Sequence, residues 1–313
     1  MSSASEMTAT ARSDSQVPQR PAWWVRALAS LPLRVLHAMA TGIAWVNAKL
    51  WPHRSTVVLE HLRTAFPTLD EAALRELRDQ FYSCYADVLV EIIKSASLSG
   101  EELDRRMRFT HLERMQGPLR EGTPVVLLAA HQCNWEWILL GLSRQLGFPV
   151  DAAYKPLRNA WADRLMLALR SRFGARMIAA PQLMRDMVGR RRVPRLVALV
   201  ADQEPVASDR RYWTQFLNRQ SAFFMGADII AKTLRYPTFF VAIRRVDRGE
   251  YVADFELLWQ PGEALAPGEL AERYARRVER QIHESPADWP WSHKRWRLQP
   301  ESTSSASSHE VPS

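Results

Sequence analysis

Short apolar runs alternate with longer amphipathic stretches along much of the chain, and this alternation limits the folds that the chain can adopt. Apolar runs of strand length lie at residues 125–129, 150–153, 196–200 and 238–243. Helical patterns fill the intervals at residues 135–146, 160–173, 182–191 and 223–235. Such alternation predicts an α/β fold with a central, mostly parallel sheet flanked by helices. Residues 251–258 add a candidate antiparallel edge strand, and residues 267–284 add a final amphipathic helix.

A helical region at residues 21–95 precedes this α/β domain, which we place at residues 96–298. Residues 71–94 predict a long helix because apolar side chains recur there at spacings of three and four. Residues 27–48 are the most apolar stretch and nearly match the roughly 20 residues that cross a bilayer. Arg34 interrupts this stretch, and an Arg inside a span costs about 2.5 kcal/mol or more. We therefore expect a shallow, partly inserted membrane helix, with an ordinary buried helix as the alternative.

The flanks of this apolar stretch carry residue types that favour a membrane surface. They comprise Trp23, Trp24, Trp45, Trp51, Arg26, Arg34, Lys49 and Arg54. Tryptophan prefers the membrane–water interface, and basic side chains attract anionic headgroups. We predict that residues 23–51 contact the membrane surface. A second tryptophan group, at Trp289, Trp291 and Trp296, has the same interpretation.

Composition narrows the possible functions. Hydrophobic residues make up 47% of the 313 residues, enough for a core, whereas residues 1–20 and 299–313 predict disordered tails. The two cysteines, Cys84 and Cys133, have no CxxC partner, which disfavours a zinc site or a disulfide framework. The net charge of +8 suits an anionic membrane, nucleic acid or an acidic carrier protein. No helix-turn-helix, zinc or RNA-binding signature accompanies that charge, so we do not expect nucleic-acid binding.

The strongest candidate for chemistry is His131, which follows the apolar run at residues 125–129. Ligands of α/β sheets bind beyond the carboxyl ends of strands, and histidine is the usual general base near neutral pH. Glu136 is five residues away, and such residues on one helix are rotated by about 140°. His131 must therefore lie in a loop, with Asn134 as N-cap and Glu136 in the first helical turn, reaching back to His131. The alternative is a lone histidine and a glutamate that serves only the helix end.

Two further polar groups are candidates for the same cleft. The first, which offers charges for a phosphate or a phosphopantetheine, comprises Tyr154, Lys155, Asn159, Asp163, Arg170 and Arg172. Its alternative interpretation is a solvated helix face. The second is Asp202 with Gln203, directly after the apolar run at residues 196–200, and its alternative is a turn or a helix cap. Two polar loops after separate strands can face one cleft, and this strengthens both assignments.

Several of these motifs resemble those of the lipid A biosynthesis (lauroyl/myristoyl) acyltransferases, within the lysophospholipid acyltransferase superfamily. His131-Gln-Cys-Asn-Trp-Glu136 resembles the HxxNWE block of that family. Tyr154-Lys-Pro156 with Asn159, Asp163 and Arg170 resembles its YRP…N…D…R block. Asp202-Gln203 resembles its DQ block, and residues 286–296 resemble its closing P-x-x-W-x-W-x-H-x-R-W signature. The blocks occur in family order over about residues 25–298. Residues 62–67 resemble its NL…FP segment, but His61 stands where the family has the Asn of that segment. Lys155 stands where the family has the Arg of YRP.

The resemblance implies a glycerolphosphate acyltransferase-like fold with a membrane-associated N-terminal segment, at the inner membrane and facing the cytoplasm. It implies transfer of a fatty acyl chain from an acyl carrier protein or coenzyme A thioester to a lipid hydroxyl, without a bound cofactor or metal. His131 would be the general base, Glu136 its partner, and Arg170 and Asp202 further catalytic residues. Asn134, Gln203 and the residues of the first polar group other than Arg170 are the expected substrate contacts. Lipid A or a related glycolipid is the implied acceptor, with a lysophospholipid, an ornithine-type lipid or a pigment precursor as alternative acceptors. A membrane protein that binds lipid without catalysis is the alternative function. A hydrolase is disfavoured because no G-x-S-x-G motif is present.

Overall fold

The computed structural model describes residues 21–49, 54–206 and 208–300. The predicted disorder of residues 1–20 and 301–313 and the predicted membrane contact of Trp51 lie outside the described residues. The strands are β1 (Met107–Phe109), β2 (Val125–Ala129), β3 (Val150–Tyr154), β4 (Arg176–Ala179), β5 (Leu196–Val200), β6 (Arg211–Phe216), β7 (Arg219–Phe224), β8 (Thr238–Asp247) and β9 (Glu250–Trp259). The helices are α1 (Trp23–Ser30), α2 (Leu33–Lys49), α3 (Ser55–Ala65), α4 (Glu71–Lys94), α5 (Gly100–Arg106), α6 (Glu113–Arg120), α7 (Trp135–Gln145), α8 (Ala160–Arg170), α9 (Leu183–Gly189), α10 (Gly226–Leu234) and α11 (Glu269–Glu284).

The described strands form a seven-stranded sheet in the order β1-β9-β8-β2-β5-β3-β4 and a separate β6–β7 hairpin. Strands β8, β2, β5, β3 and β4 run parallel, and β9 pairs antiparallel with β8. The predicted mostly parallel α/β sheet is therefore confirmed. The predicted antiparallel strand at residues 251–258 is confirmed as β9, but its predicted edge position is wrong, because β1 pairs with the other side of β9.

The central strand β2 explains why the apolar runs are continuous rather than alternating. Val125, Leu127 and Ala129 point into a hydrophobic cluster shared with α2, α5 and α7. Val126 and Leu128 point into a second cluster shared with α3, α10 and α11. Successive side chains of a strand face opposite sides, so a sheet covered on both faces needs apolar residues at every position. Residues of the N-terminal helical region contribute to both clusters.

The predicted continuous helix at residues 27–48 is instead two helices, α1 and α2, bent by 103° at a short break. The break falls at Leu31 and Pro32. Leu31 has φ −60° and ψ 147°, an extended conformation, because proline disfavours the helical region for the residue before it. No single helix among the described residues is long and apolar enough to cross a membrane, whereas α1 and α2 together meet those criteria of length and hydropathy.

Two other local predictions need correction. The predicted helix at residues 223–235 begins only at Gly226, because residues 219–224 form β7, joined to β6 by a turn in which Leu217 and Asn218 both have positive φ. That conformation is typical of the tight turn that joins two hairpin strands. The prediction that the tryptophans near the end of the chain contact the membrane surface is wrong. Trp289 and Trp291 are buried in the core cluster beside α11, and Trp296 packs against this cluster.

Candidate active site

The sheet brings His131 and Asp202 together at the carboxyl ends of two neighbouring strands. Strands β2 and β5 pair in parallel with Ala129 opposite Val200. His131 and Asp202 each lie two residues beyond that last pair, so the register places the two side chains side by side. The prediction that the polar loops after residues 125–129 and 196–200 can face one cleft is confirmed.

The partner of His131 is Asp202. The Nδ1 atom of His131 lies 2.6 Å from Oδ1 of Asp202, and the backbone N–H of His131 donates to Oδ2 at 3.1 Å. The carboxylate accepts from Nδ1, so the ring proton lies there and Nε2 is left as an acceptor. Gln203 extends this arrangement, because its Nε2 lies 3.4 Å from Nε2 of His131. The imidazole is therefore oriented as a base that takes a proton at Nε2.

The sequence predicted that Glu136 reaches back to His131. In the structure Glu136 pairs with Arg170 instead. The guanidinium donates from Nε to Oε2 at 2.8 Å and from Nη2 to Oε1 at 2.5 Å. Arg170 ends α8, which brings the opposite charge next to the first turn of α7. Burial opposes the charge of Arg170, but the hydrogen bonds and negative charge of Glu136 raise its pKa above the ordinary value. A bidentate pair of this geometry is stronger and better oriented than a contact between Glu136 and a neutral imidazole.

The loop that carries His131 is shaped by a capped helix start. Asn134 is the N-cap of α7, and its side-chain oxygen accepts from the backbone N–H of Trp137 at 3.0 Å. Cys133 has φ 49°, a conformation that non-glycine residues rarely adopt, and it turns the chain between His131 and the helix. The predicted loop position of His131, the cap and the first-turn position of Glu136 are all confirmed.

The Asp202 carboxylate is buried and ionised. Burial would raise its pKa, but attraction to the protonated form of His131 and hydrogen bonds from His131 and Trp289 outweigh burial and lower the pKa below the usual value. The Trp289 indole N–H donates to Oδ2 at 2.9 Å. The sequence assigns Trp289 to the membrane surface and to the closing signature, and gives it no role in the active site. Its position within the closing signature was the sequence signal for a functional role. The contact of its indole with Asp202, which lies 87 positions earlier in the sequence, is visible only in the folded structure.

A cavity of about 470 Å³ opens at this end of the sheet, and His131, Glu136, Arg170 and Gln203 line it. Tyr154 and Lys155, two of the predicted substrate contacts, line it as well. Its remaining lining is largely apolar: Leu127, Ala129, Trp135, Ile138, Leu139, Leu142, Ala152, Ala153, Pro156, Leu157, Met177, Ala198 and Val200, with Arg158 also present. The cavity thus joins a polar end, which holds the candidate base, to an apolar extension along the sheet.

Four of the predicted substrate contacts are engaged in holding local structure instead. Asn134 is buried and donates to Oε2 of Glu91 at 2.8 Å while it caps α7. Asn159 caps α8 by accepting from the backbone N–H groups of two residues in its first turn. Asp163 accepts from the backbone N–H of Leu157 at 2.7 Å.

The fourth is Arg172. It donates to the backbone carbonyl of Ser95, and its guanidinium lies 5.0 Å from the ring centre of Phe173. As with Asn134, Asn159 and Asp163, the structure therefore supplies a reason for the polar residue that does not require a ligand.

The family model of the bacterial lipid A biosynthesis acyltransferases matches residues 21–298. A lipid A biosynthesis acyltransferase of Haemophilus influenzae is 24% identical to the chain over 207 residues, which are 66% of this chain and 64% of that relative. The match thus spans slightly less than two thirds of the relative, whereas the family model takes in both the N-terminal helices and the closing tryptophan segment. The chain belongs to the bacterial lipid A biosynthesis acyltransferase family.

Proposed function

We propose that this protein transfers a fatty acyl chain from a carrier-protein or coenzyme A thioester to a hydroxyl group of a membrane lipid, in lipid A or related glycolipid biosynthesis. The observation that carries the proposal is the His131–Asp202 pair at the polar end of the cavity. An imidazole fixed by a buried carboxylate is the arrangement that removes a proton from a hydroxyl group. The reaction takes place at the inner membrane, on its cytoplasmic side.

The proton transfer runs through Nε2 of His131. The acceptor hydroxyl gives its proton to Nε2 as its oxygen attacks the thioester carbonyl, and Asp202 stabilises the imidazolium that forms. Collapse of the tetrahedral intermediate breaks the carbon–sulfur bond, and His131 returns the proton to the leaving thiolate. An ester and a free thiol are the products.

Arg170 lines the cavity together with His131 and can stabilise negative charge on the thioester oxygen. A guanidinium carries five N–H donors, and Glu136 accepts from Nε and Nη2, so Arg170 keeps donors for a ligand. Glu136 then acts by holding Arg170 in place. Donors fixed before the reaction are more effective than flexible ones, because they need no reorganisation when charge develops.

The apolar extension of the cavity is suited to the acyl chain. Leu127, Leu142 and Met177 lie along it, away from His131, and each buried methylene contributes about 0.8 kcal/mol. Lys155 and Arg158, at the mouth, place positive charge where the phosphate of a phosphopantetheine or an acidic carrier protein would approach. The donor thus lies with its chain inside the cavity and its charged part outside.

The experiment that tests the proposal uses purified protein in lipid vesicles. Acyl carrier protein and coenzyme A thioesters are supplied separately, with lipid A precursor or with lysophospholipid in the vesicles. We expect thiol release only when an acceptor is present, together with one added acyl mass on the glycolipid in mass spectrometry. Thiol release without acceptor would instead indicate a hydrolase, transfer to the lysophospholipid alone would change the acceptor, and vesicle binding without turnover would indicate a lipid-binding protein.

We also propose that α1 and α2 hold the protein on the membrane surface. Val35, Met39, Ile43 and Val46 recur on one face of α2 and are exposed, whereas Leu36 and Ala40 on the other face are buried. Trp23, Trp24 and Trp45 are exposed as well. An exposed apolar surface of this kind marks an interaction site.

The same surface reaches the mouth of the cavity. The rings of Trp24 and Trp161 stack with centroids 5.3 Å apart, and Trp161 is itself exposed. Leu157, four residues before Trp161, is exposed and lines the cavity. A lipid acceptor at the membrane surface would therefore lie close to the entrance to His131.

We predict that introducing two glutamates at Ile43 and Val46 weakens binding to anionic vesicles by at least about tenfold, because burial of each such side chain contributes about 1.5 kcal/mol or more. Vesicle flotation with phosphatidylglycerol-containing membranes measures this. The matched control replaces two exposed apolar residues far along the chain, Val188 and Leu257, by glutamate. Equal weakening in both double variants would show that binding depends on net charge and not on α2.

A further inference from the structure

The Asp202 carboxylate has a hydrogen-bond donor besides His131, and the mechanism above does not use it. Asp202 accepts from Nδ1 and the backbone N–H of His131 and, at 2.9 Å, from the indole N–H of Trp289. Trp289 is 2% exposed, and an indole can only donate. A buried indole directed at a buried carboxylate fixes one oxygen of that carboxylate.

The position of Trp289 is set by aromatic packing on several sides. Its ring centroid lies 4.8 Å from that of Trp291 and 6.3 Å from that of Phe216. The fully buried Arg295 guanidinium lies 5.4 Å from the ring centre of Phe216 and 4.4 Å from that of Phe223. A ring enclosed in this way cannot rotate away from Asp202 without displacing core side chains.

The segment that carries Trp289 is also joined to the loop that carries His131. The backbone N–H of Cys133 donates to the carbonyl of Asp288 at 3.0 Å, and the Gln132 side chain donates to the carbonyl of Ser285 at 2.8 Å. The two groups that hold Asp202, the imidazole and the indole, are thus held relative to each other by contacts that bypass Asp202.

We propose that Trp289 is a positioning residue whose indole N–H holds the Asp202 carboxylate in the orientation that fixes the His131 imidazole as a base. This inference rests on the proposed function, because it assigns a task to Trp289 within that reaction. Trp289 touches no reacting atom and acts through Asp202.

The other groups that face Asp202 keep one charge state around neutral pH. Burial lowers the pKa of His293 to about 4, so this histidine is neutral there. Burial and the Asp202 charge raise the pKa of Tyr274 well above its usual value, and the pKa of Arg295 is lowered by burial only to about 10. The ionisable groups that line the cavity beside His131 are Glu136, Tyr154, Lys155, Arg158 and Arg170. A change at Trp289 therefore acts on the reaction through the hydrogen bonds that join Asp202 to His131.

The test is the pH profile of kcat/KM for a Trp289→Phe protein, in the vesicle assay with a saturating lipid acceptor. Phenylalanine keeps an aromatic ring but lacks the donor. We expect kcat to fall about tenfold with the KM for the thioester little changed, since a hydrogen bond to a charged group is worth about that factor. The acid limb should move up by about one pH unit, because a carboxylate with one fewer donor holds the imidazolium more strongly.

The matched control is Trp291→Phe. Trp291 is also buried, and its indole N–H donates to the carbonyl of Pro286 at 2.6 Å. We expect this variant to lose thermal stability with an unmoved acid limb. Since Trp289→Phe leaves space in the core, a second variant carries β-(3-benzothienyl)alanine at position 289, which keeps the shape of the indole and replaces its N–H by sulfur. This isostere should reproduce the shift of the acid limb.

An isostere with wild-type kcat and an unmoved acid limb would overturn the inference, if the wild type is active and a His131→Ala protein is inactive in the same assay. That result would leave the proposed function intact. A wild type without acceptor-dependent transfer would overturn the proposed function, and the role of Trp289 with it. A Trp289→Phe substitution that lowers kcat no further in an Asp202→Asn background would support action through Asp202.

Discussion

An Asp202→Asn protein is expected to keep its fold and to transfer acyl chains about 10³- to 10⁴-fold more slowly than the wild type. The reason is the tautomer of His131. An amide can donate to Nδ1 of His131, and the ring proton then moves to Nε2, where it blocks acceptance of a proton from the acceptor. The imidazolium also loses the buried negative charge that stabilises it. The measurement is the initial rate of acyl transfer to lipid vesicles, followed as thiol release and as added lipid mass.

Two companion variants make this result specific. His131→Ala should be slowed to a similar extent, and the His131→Ala/Asp202→Asn double variant hardly further, because the two residues act as one unit. The control is Asp254→Asn. Asp254 also pairs with a histidine, His111, at 2.7 Å, but on the protein surface, and its loss should leave transfer unchanged. An Asp202→Asn protein that keeps a tenth of the wild-type rate or more would contradict the assignment of Asp202.

A Glu136→Ala protein is expected to lose about 3 kcal/mol of folding stability and about 10²-fold in transfer rate. Removing one partner of a buried ion pair leaves the other charge without compensation, and Arg170 is that charge here. The rate falls because a mobile guanidinium stabilises the developing oxyanion less well than a fixed one. Thermal unfolding in detergent measures the first effect, and the vesicle assay measures the second.

The control for this prediction removes both charges. A Glu136→Leu/Arg170→Met double variant should recover most of the stability, since no unpaired charge remains, but none of the transfer rate. The pH profile separates the two possible partners of His131. Glu136→Gln should leave the acid limb of kcat/KM where it is in the wild type, because Glu136 bonds to Arg170. An acid limb displaced by this substitution would show that Glu136, and not Asp202, is the partner of His131.

Sequence patterns located the strands and the loops of this site well. The runs at residues 125–129 and 196–200 are recovered without change of bounds, because strands buried on both faces leave a continuous apolar signature. The helix start at Asn134 was also predictable, because an N-cap asparagine is a local requirement. Strands β1 and β4 and the β6–β7 hairpin were missed. The three residues of β1 are too few to show the alternation of a strand. The hairpin turn was missed because Leu217, which has positive φ there, is not a residue type typical of turns.

What failed was the pairing of side chains across the fold. Glu136 is five residues from His131, and this short separation led to the prediction that the two side chains pair. In the structure His131 pairs with Asp202, and Glu136 pairs with Arg170. Both pairs are set by which strands and helices are neighbours. That information lies in sheet order and register, and no single stretch of sequence carries it.

Periodicity and helix capping are local physical requirements, so the α/β sheet and the position of His131 in a loop after a strand could be predicted from the amino-acid sequence. Tertiary structure alone decided which carboxylate serves that histidine. The parallel register of β2 and β5 places Asp202 beside His131, and the closing segment places Trp289 behind Asp202. A hydrogen bond needs an approach of about 3 Å, and residues separated by 71 and 87 positions reach that distance only when the core is packed.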